Sequence, residues 1–209
     1  MRRLLLSASL VAVGWLHVSA AQAAAPGTWH IGVERMFGFK KATLETDAGP
    51  QETSASSTSV SLLSRTLTLD VGYPDARLAL DYILPSGVSL GGAIGYESVD
   101  YDDDDDTDNA SAWLLAPRVG YFASVTSGFG LWPRGGFTFL SADDGDAEDD
   151  DDISFTALTV EVPLVFNLGL SSIGLTVMPY IDFGLGGGND DVDMKLTEFG
   201  LQFGMSAFF

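Results

Sequence analysis

The connections in this 209-residue chain alternate between short and long, and most of its acid is confined to the long ones. Acidic residues cluster in Glu45–Glu52, Asp100–Asp108, Asp143–Asp152 and Asp190–Asp193, which hold 21 of the 29 aspartates and glutamates. Between these runs lie segments with few charges, apolar residues at every second position, and Gly, Pro, Ser or Asp at their ends. Period two with that punctuation is the signal of β-strands. Eight strands are predicted, near Thr28–Phe39, Ala76–Leu84, Val88–Val99, Ala112–Ala123, Phe129–Leu140, Ile153–Leu168, Ile173–Leu185 and Met194–Phe209. Short links at Pro85–Gly87, Ser124–Gly128 and Gly169–Ser172 alternate with long ones at about 40–75, 100–111, 141–152 and 186–193.

A soluble sandwich has no reason to place its acid on every second connection. A transmembrane barrel does, because it has tight turns at one rim, long loops at the other and an even strand count. The expected fold is therefore all-β, an antiparallel up-and-down barrel of eight strands, with ten as the alternative count. Ten would apply if the strand-like stretch Thr58–Leu69 stood as a wall strand rather than extending its neighbour or forming a loop hairpin. The uncharged run Val162–Ile181 has the length of a membrane helix, but Pro163, Gly169, Gly174 and Pro179 within it favour two strands around a turn. Closure follows because an open sheet edge in lipid leaves amides without partners.

The N-terminus reads as a cleaved secretory signal, 1–23. Arg2 and Arg3 precede an apolar stretch from Leu4 to Val18 and an A-x-A site at Ala21–Ala23. Without Arg2 and Arg3 the remainder has 8 basic and 29 acidic residues, near −21, which argues against nucleic-acid partners. Hydrophobic residues make up 46% of the chain, too many for an acidic disordered protein. With no cysteine there is neither a disulfide framework nor a thiolate metal site.

The signal, the eight alternating strands, the three tight turns and the terminal Phe209 resemble the small outer-membrane barrels of the OmpA/OmpX type. Pro74–Tyr96 (PDARLALDYILPSGVSLGGAIGY) and Glu198–Phe209 (EFGLQFGMSAFF) in particular are similar to the broad outer-membrane protein β-barrel domain family. That resemblance implies a Gram-negative outer-membrane location, lipopolysaccharide as the surrounding lipid, and recognition of Phe209 by the barrel-assembly machinery. It implies a barrel domain over 24–209 with no peptidoglycan-binding domain after it, and no single activity. A monomer is expected.

Alternation places eight charges on the lumen face: Glu34, Arg77, Asp81, Arg118, Arg134, Glu161, Asp182 and Glu198. Unpaired burial would cost several kcal/mol each, so they are expected to form a carboxylate–guanidinium network that plugs the lumen. A narrow channel or carrier for small or cationic solutes is the alternative. Arg35 breaks the scheme, because the phase of Trp29, Ile31 and Val33 points it at lipid; a bulge at Glu34–Arg35 or an interfacial position would relieve it. Trp29, Tyr82, Tyr96, Trp113, Tyr121 and Phe208 are candidates for interfacial girdles. The acidic runs suggest weak calcium binding, with Asp102, Asp104, Asp106, Asp144, Asp146 and Glu148 as candidate ligands, although no EF-hand order is present. No other cofactor is expected. Catalysis is not expected either: His30 is the only histidine after the signal, and no serine stands out beside it, so a lipid-modifying outer-membrane enzyme dependent on His30 ranks third, after a structural or surface-interaction barrel and a channel.

Overall fold

The structure is a computed structural model that describes residues 27–47, 52–62, 65–66, 76–103, 106–143, 153–168, 172–188 and 192–209. The expected signal peptide lies outside them. Eight wall strands follow one another in antiparallel order. They are β1 (Thr28–Asp47), β2 in two pieces (Glu52–Leu62 and Arg77–Ile83), β3 (Val88–Asp103) and β4 (Asp106–Tyr121, continued by Ala123–Thr126). Then come β5 (Phe129–Leu131 and Arg134–Asp143), β6 (Ile153–Glu161 and Leu164–Asn167), β7 (Ile173–Gly188) and β8 (Asp193–Phe208). β8 pairs with both β7 and β1, which closes the barrel.

The second wall strand resolves the question of eight or ten. Thr28–Glu34 of β1 pairs with Arg77–Ile83, and Phe37–Asp47 pairs with Glu52–Leu62, so the two pieces of β2 share one edge of β1. The chain leaves the wall after Leu62, forms a short strand at Arg65–Thr66 against Ser61–Leu62, and re-enters the wall at Arg77. The run Thr58–Leu69 is thus an upward extension of β2 as far as Leu62, and 67–69 lies outside the described residues.

The strands reach much further into the acidic stretches than expected. β1 continues to Asp47, β3 and β4 pair out to Asp103 and Asp106, and β7 and β8 meet at Gly188 and Asp193. Among the described residues, 40–47, 52–62, 65–66, 100–103, 106–111, 186–188 and 193 are therefore strand rather than loop. The ladder keeps pairing backbone groups whatever the side chains carry. At 20 residues β1 is about twice the ~9–11 needed to cross a bilayer. The run Val162–Ile181 is two strand segments, Leu164–Asn167 and the start of β7. Among the described residues no helix is long and apolar enough to span a membrane.

Prolines interrupt β5 and β6, since they cannot donate to the ladder. The wall stays continuous because Tyr121, Trp132 and Val162 donate their N–H groups to the carbonyls of Pro133, Pro163 and Pro179 at 2.9–3.0 Å.

The barrel is apolar outside and charged inside. Ile31, Leu80, Leu90, Leu115, Phe139, Val160, Phe183 and Leu201 point outward on eight successive strands, each 42–53% exposed. Soluble monomers rarely carry one contiguous apolar patch above a few hundred Å², and here the belt encircles the molecule. Aromatic pairs mark its edges, Trp29 with Tyr82 near the short turns and Tyr96 with Trp113 toward the acidic end. Tyr121 pairs with Val88 and Trp113 with Tyr96, a separation of eight residues on β4. At ~3.3 Å per residue and a tilt near 40° that is roughly 20 Å of height, close to the ~25 Å apolar band of an outer-membrane barrel. Phe208 does not belong to the girdle. It shares the inward parity of Gln202 and Ser206 and packs against Ile83, Trp132 and Val165 inside the barrel.

Candidate functional site: the charged lumen

All eight charges assigned to the lumen have buried side chains on the inner face. Three further groups join them: His30, Arg35 and Lys40. With His30 neutral, five carboxylates face five cations, so the interior is balanced while the chain as a whole carries −19.

The cluster nearer the short turns is organised by Arg118. Its Nε and Nη2 donate to the two oxygens of Asp81 at 2.9 and 2.6 Å. Nη1 and Nη2 donate to Glu34 at 2.6 and 3.0 Å, and Nη1 also reaches Glu161 at 3.2 Å. These contacts match all five donors of the guanidinium fork. Arg134 donates to Glu34 at 2.8 Å, and its Nε lies 2.7 Å from Glu161, an ionic contact outside the hydrogen-bond line. The glycines opposite make room. A Cβ on Gly91 would overlap the Asp81 carboxylate, and one on Gly136 would overlap Arg118.

Toward the acidic end a second cluster gathers Arg35, Lys40, Arg77, Asp182 and Glu198. Arg35 Nη1 donates to Asp182 at 2.8 Å, and Thr159 donates to the same carboxylate at 2.7 Å. Arg35 also lies over the Tyr180 ring at 3.6 Å, and the Tyr180 hydroxyl donates to Glu198 at 2.6 Å. Lys40 stands 3.6 Å from Glu198, and Arg77 3.6 Å from Asp182.

Arg35 enters the lumen through a bulge. Val33 pairs with Met205 and Phe37 with Phe203, so Glu34, Arg35 and Met36 stand opposite Gly204 alone. Arg35 has φ +53°, a left-handed conformation that costs a non-glycine residue ~1–2 kcal/mol. The turn keeps Val33 and Phe37 facing lipid and sends Glu34 and Arg35 inward together. Of the two reliefs open from sequence, the bulge is the one the strand adopts.

Apolar layers seal the network on both sides. Ile83, Trp132 and Val165, with Phe122 and Phe208, close the short-turn side, where Trp132 Nε1 donates to Ser89 at 2.8 Å. Leu114, Leu140, Phe155 and Leu196 close the acidic side. The space left beside Arg77, Arg118 and Glu161 is about 10 Å³, no more than one water needs. A recess of about 110 Å³ lies outside the lower seal, and a cleft of about 760 Å³ opens at the acidic mouth between Glu45, Asp47, Gly186 and Asp193.

His30 has a partner that the sequence did not single out. Its Nε2 lies 2.9 Å from Ser206 Oγ and its Nδ1 3.1 Å from Asp81 Oδ2. The connectivity is that of a hydroxyl–imidazole–carboxylate relay. Its setting is structural, though: Ser206 is 3% exposed, Arg118 engages both Asp81 oxygens, and the rings of Trp132 and Phe208 pack on the imidazole.

Among the described residues no group of three His, Asp or Glu side chains could hold a metal ion. Of the candidate calcium ligands, Asp104, Asp144, Asp146 and Glu148 lie outside the described residues, and Asp102 and Asp106 are paired strand positions beside the hairpin tip. Phe209 is 70% exposed, and its backbone exchanges both hydrogen bonds with Trp29.

An eight-stranded antiparallel barrel with a lipid-facing apolar belt and a filled, charged interior is the fold of the small outer-membrane β-barrels. Its wall matches that of Neisserial surface protein A, with a TM-score of 0.51 at 10% identity over 86% of this chain and 96% of that one. Looser matches are Ail, the attachment invasion locus protein of Yersinia pestis (TM-score 0.44, 13% identity, 86% of this chain and 99% of that one), and the N-terminal β-barrel domain of Pseudomonas aeruginosa OprF (0.43, 10%, 84% and 99%). No family profile and no curated protein matches the sequence.

Proposed function

We propose that this chain is a non-conducting, non-catalytic integral barrel of the outer membrane, which presents its acidic hairpin ends outside the cell in a structural or surface-interaction role. The observation that carries this reading is the sealed lumen, in which a charge-balanced network sits between two apolar layers. An ion would have to cross both layers and part the pairs between them. Lipopolysaccharide as surrounding lipid, insertion by the barrel-assembly machinery and the role of Phe209 as its signal belong to the same proposal.

Planar-bilayer recording of the refolded barrel tests it. Silent membranes across the voltage range are expected, whereas sustained openings would establish the narrow channel instead.

A further inference from the structure

The recess of about 110 Å³ at the short-turn mouth has no charged side chain among the described residues that line it. Its floor is aromatic: the rings of Phe122 and Phe208 lie 5.8 Å apart, and Trp132 of the seal backs both. Gly130 lets the Phe122 ring lie there, since a Cβ on it would come within 2.7 Å of the ring. The rim is hydroxyl and amide, from Ser124, Thr126, Ser172 and Asn167. Backbone contacts hold that rim in place. Asn167 N–H donates to the Gly128 carbonyl at 2.9 Å, which ties the end of β6 to the turn before β5, and Phe208 N–H donates to the Ser172 carbonyl at 2.8 Å. The Ser124 hydroxyl donates to the Thr126 carbonyl at 3.1 Å, and Thr126 Oγ1 accepts from Gly128 N–H at 3.3 Å. Ser124 keeps its capacity to accept, and Thr126 keeps its O–H to donate.

We propose that this recess binds the terminal pyranose ring of an uncharged saccharide, a hexose or N-acetylhexosamine. The side it faces, the periplasm, rests on the membrane-spanning reading above. A lining without charge offers no counter-ion, which disfavours phosphates, carboxylates and ammonium groups. A pyranose has a face of C–H groups that suits the negative faces of the floor rings. Its circumference of hydroxyls, each both donor and acceptor, suits a rim of the same chemistry. A purely apolar side chain would instead cover the rim hydroxyls without partnering them, at the cost of their desolvation. The volume falls below the ~150 Å³ that holds a benzene ring, so one ring enters part-way and any further sugars lie in solvent. Walls already tied together have little left to order on binding.

The test titrates maltose and N,N′-diacetylchitobiose into the refolded chain in nanodiscs of phosphatidylcholine, free of sugar detergents, and reads binding by saturation-transfer NMR. At least one disaccharide should bind with a dissociation constant on the order of 1–10 mM, as expected of a single-ring contact. Thr126→Val/Asn167→Ala should weaken it about tenfold through the loss of two hydrogen bonds. Both side chains are exposed and lie outside the lumen network, so the double variant should insert normally. Intermolecular NOEs from the sugar C–H protons to the Phe122 and Phe208 rings should locate the ligand without any substitution. An inserted wild type that binds neither sugar, NOEs confined to other residues, or undiminished binding by the double variant overturns the site and leaves the barrel reading standing. Binding of N-acetylphenylalanine amide in place of both sugars would make the recess a dock for a peptide side chain and overturns it equally. Failure of the wild type to insert would overturn the barrel reading and the site with it.

Discussion

Around Arg118 every guanidinium N–H meets a carboxylate oxygen at 2.6–3.2 Å, whereas Glu198 takes a short hydrogen bond from the Tyr180 hydroxyl at 2.6 Å, with Arg35 and Lys40 at 3.5 and 3.6 Å. The tight cluster holds three carboxylates against two guanidiniums, and the loose one holds two carboxylates against three cations. Each is unbalanced by one charge, in opposite senses, and they adjoin at Glu34 and Arg35. The difference shows that the interior is neutral only as a whole. The tight half takes its ionic groups from strand positions of ordinary parity, while the loose half depends on a backbone turned at Arg35.

Removing one arginine from each half breaks this comparison most sharply. Arg118→Met leaves three buried carboxylates facing Arg134, and a loss of about 3–5 kcal/mol is expected in urea unfolding of the refolded barrel. Arg35→Leu instead leaves two carboxylates against Lys40 and Arg77, a set balanced within its own half, with the left-handed φ retained. Its expected cost is about 1–3 kcal/mol. Equal losses in the two variants would mean that balance within each half does not set the cost, since either variant leaves four cations against five carboxylates in the lumen as a whole. The double variant sharpens the point, because clusters that neutralise one another should couple by about 0.5–1 kcal/mol in the cycle, and strict additivity would make them independent. Smallest of all is Ser206→Ala, which removes one neutral hydrogen bond for about 1 kcal/mol. It should also leave reactivity toward a fluorophosphonate unchanged at background, since a covalent adduct on Ser206 would show the relay to be accessible.

Strand parity made most of this interior legible. In β7 and β8 the outward Phe183, Phe199, Leu201 and Met205 fix Asp182 and Glu198 as inward, and only the period of two is needed. Lys40 lies one residue beyond Phe39, where the predicted first strand ends. Continued alternation through Gly38, Lys40 and Ala42 would have placed it inside. Ser206 was missed for another reason: its pairing with His30 depends on which strands meet at closure, a long-range fact absent from local pattern. The misplacement of Phe208 came from reading an aromatic near a rim as lipid-facing against its own parity. The left-handed turn at Arg35 was legible only as a conflict, an arginine in phase with lipid-facing neighbours.

The meeting of β8 with β1 also bears on the order of assembly. A sheet built from β1 to β7 already contains every charged member of the Arg118 cluster, with only Ser206 absent beside His30. It still lacks Glu198, the carboxylate that Lys40 and Arg35 face across the seam. The last strand therefore supplies a missing counter-charge along with its ladder, and a register slip of one residue would turn Glu198 out to lipid. Closure in the wrong register is penalised at the moment it occurs, which gives the barrel a proofreading step that is independent of any turn sequence.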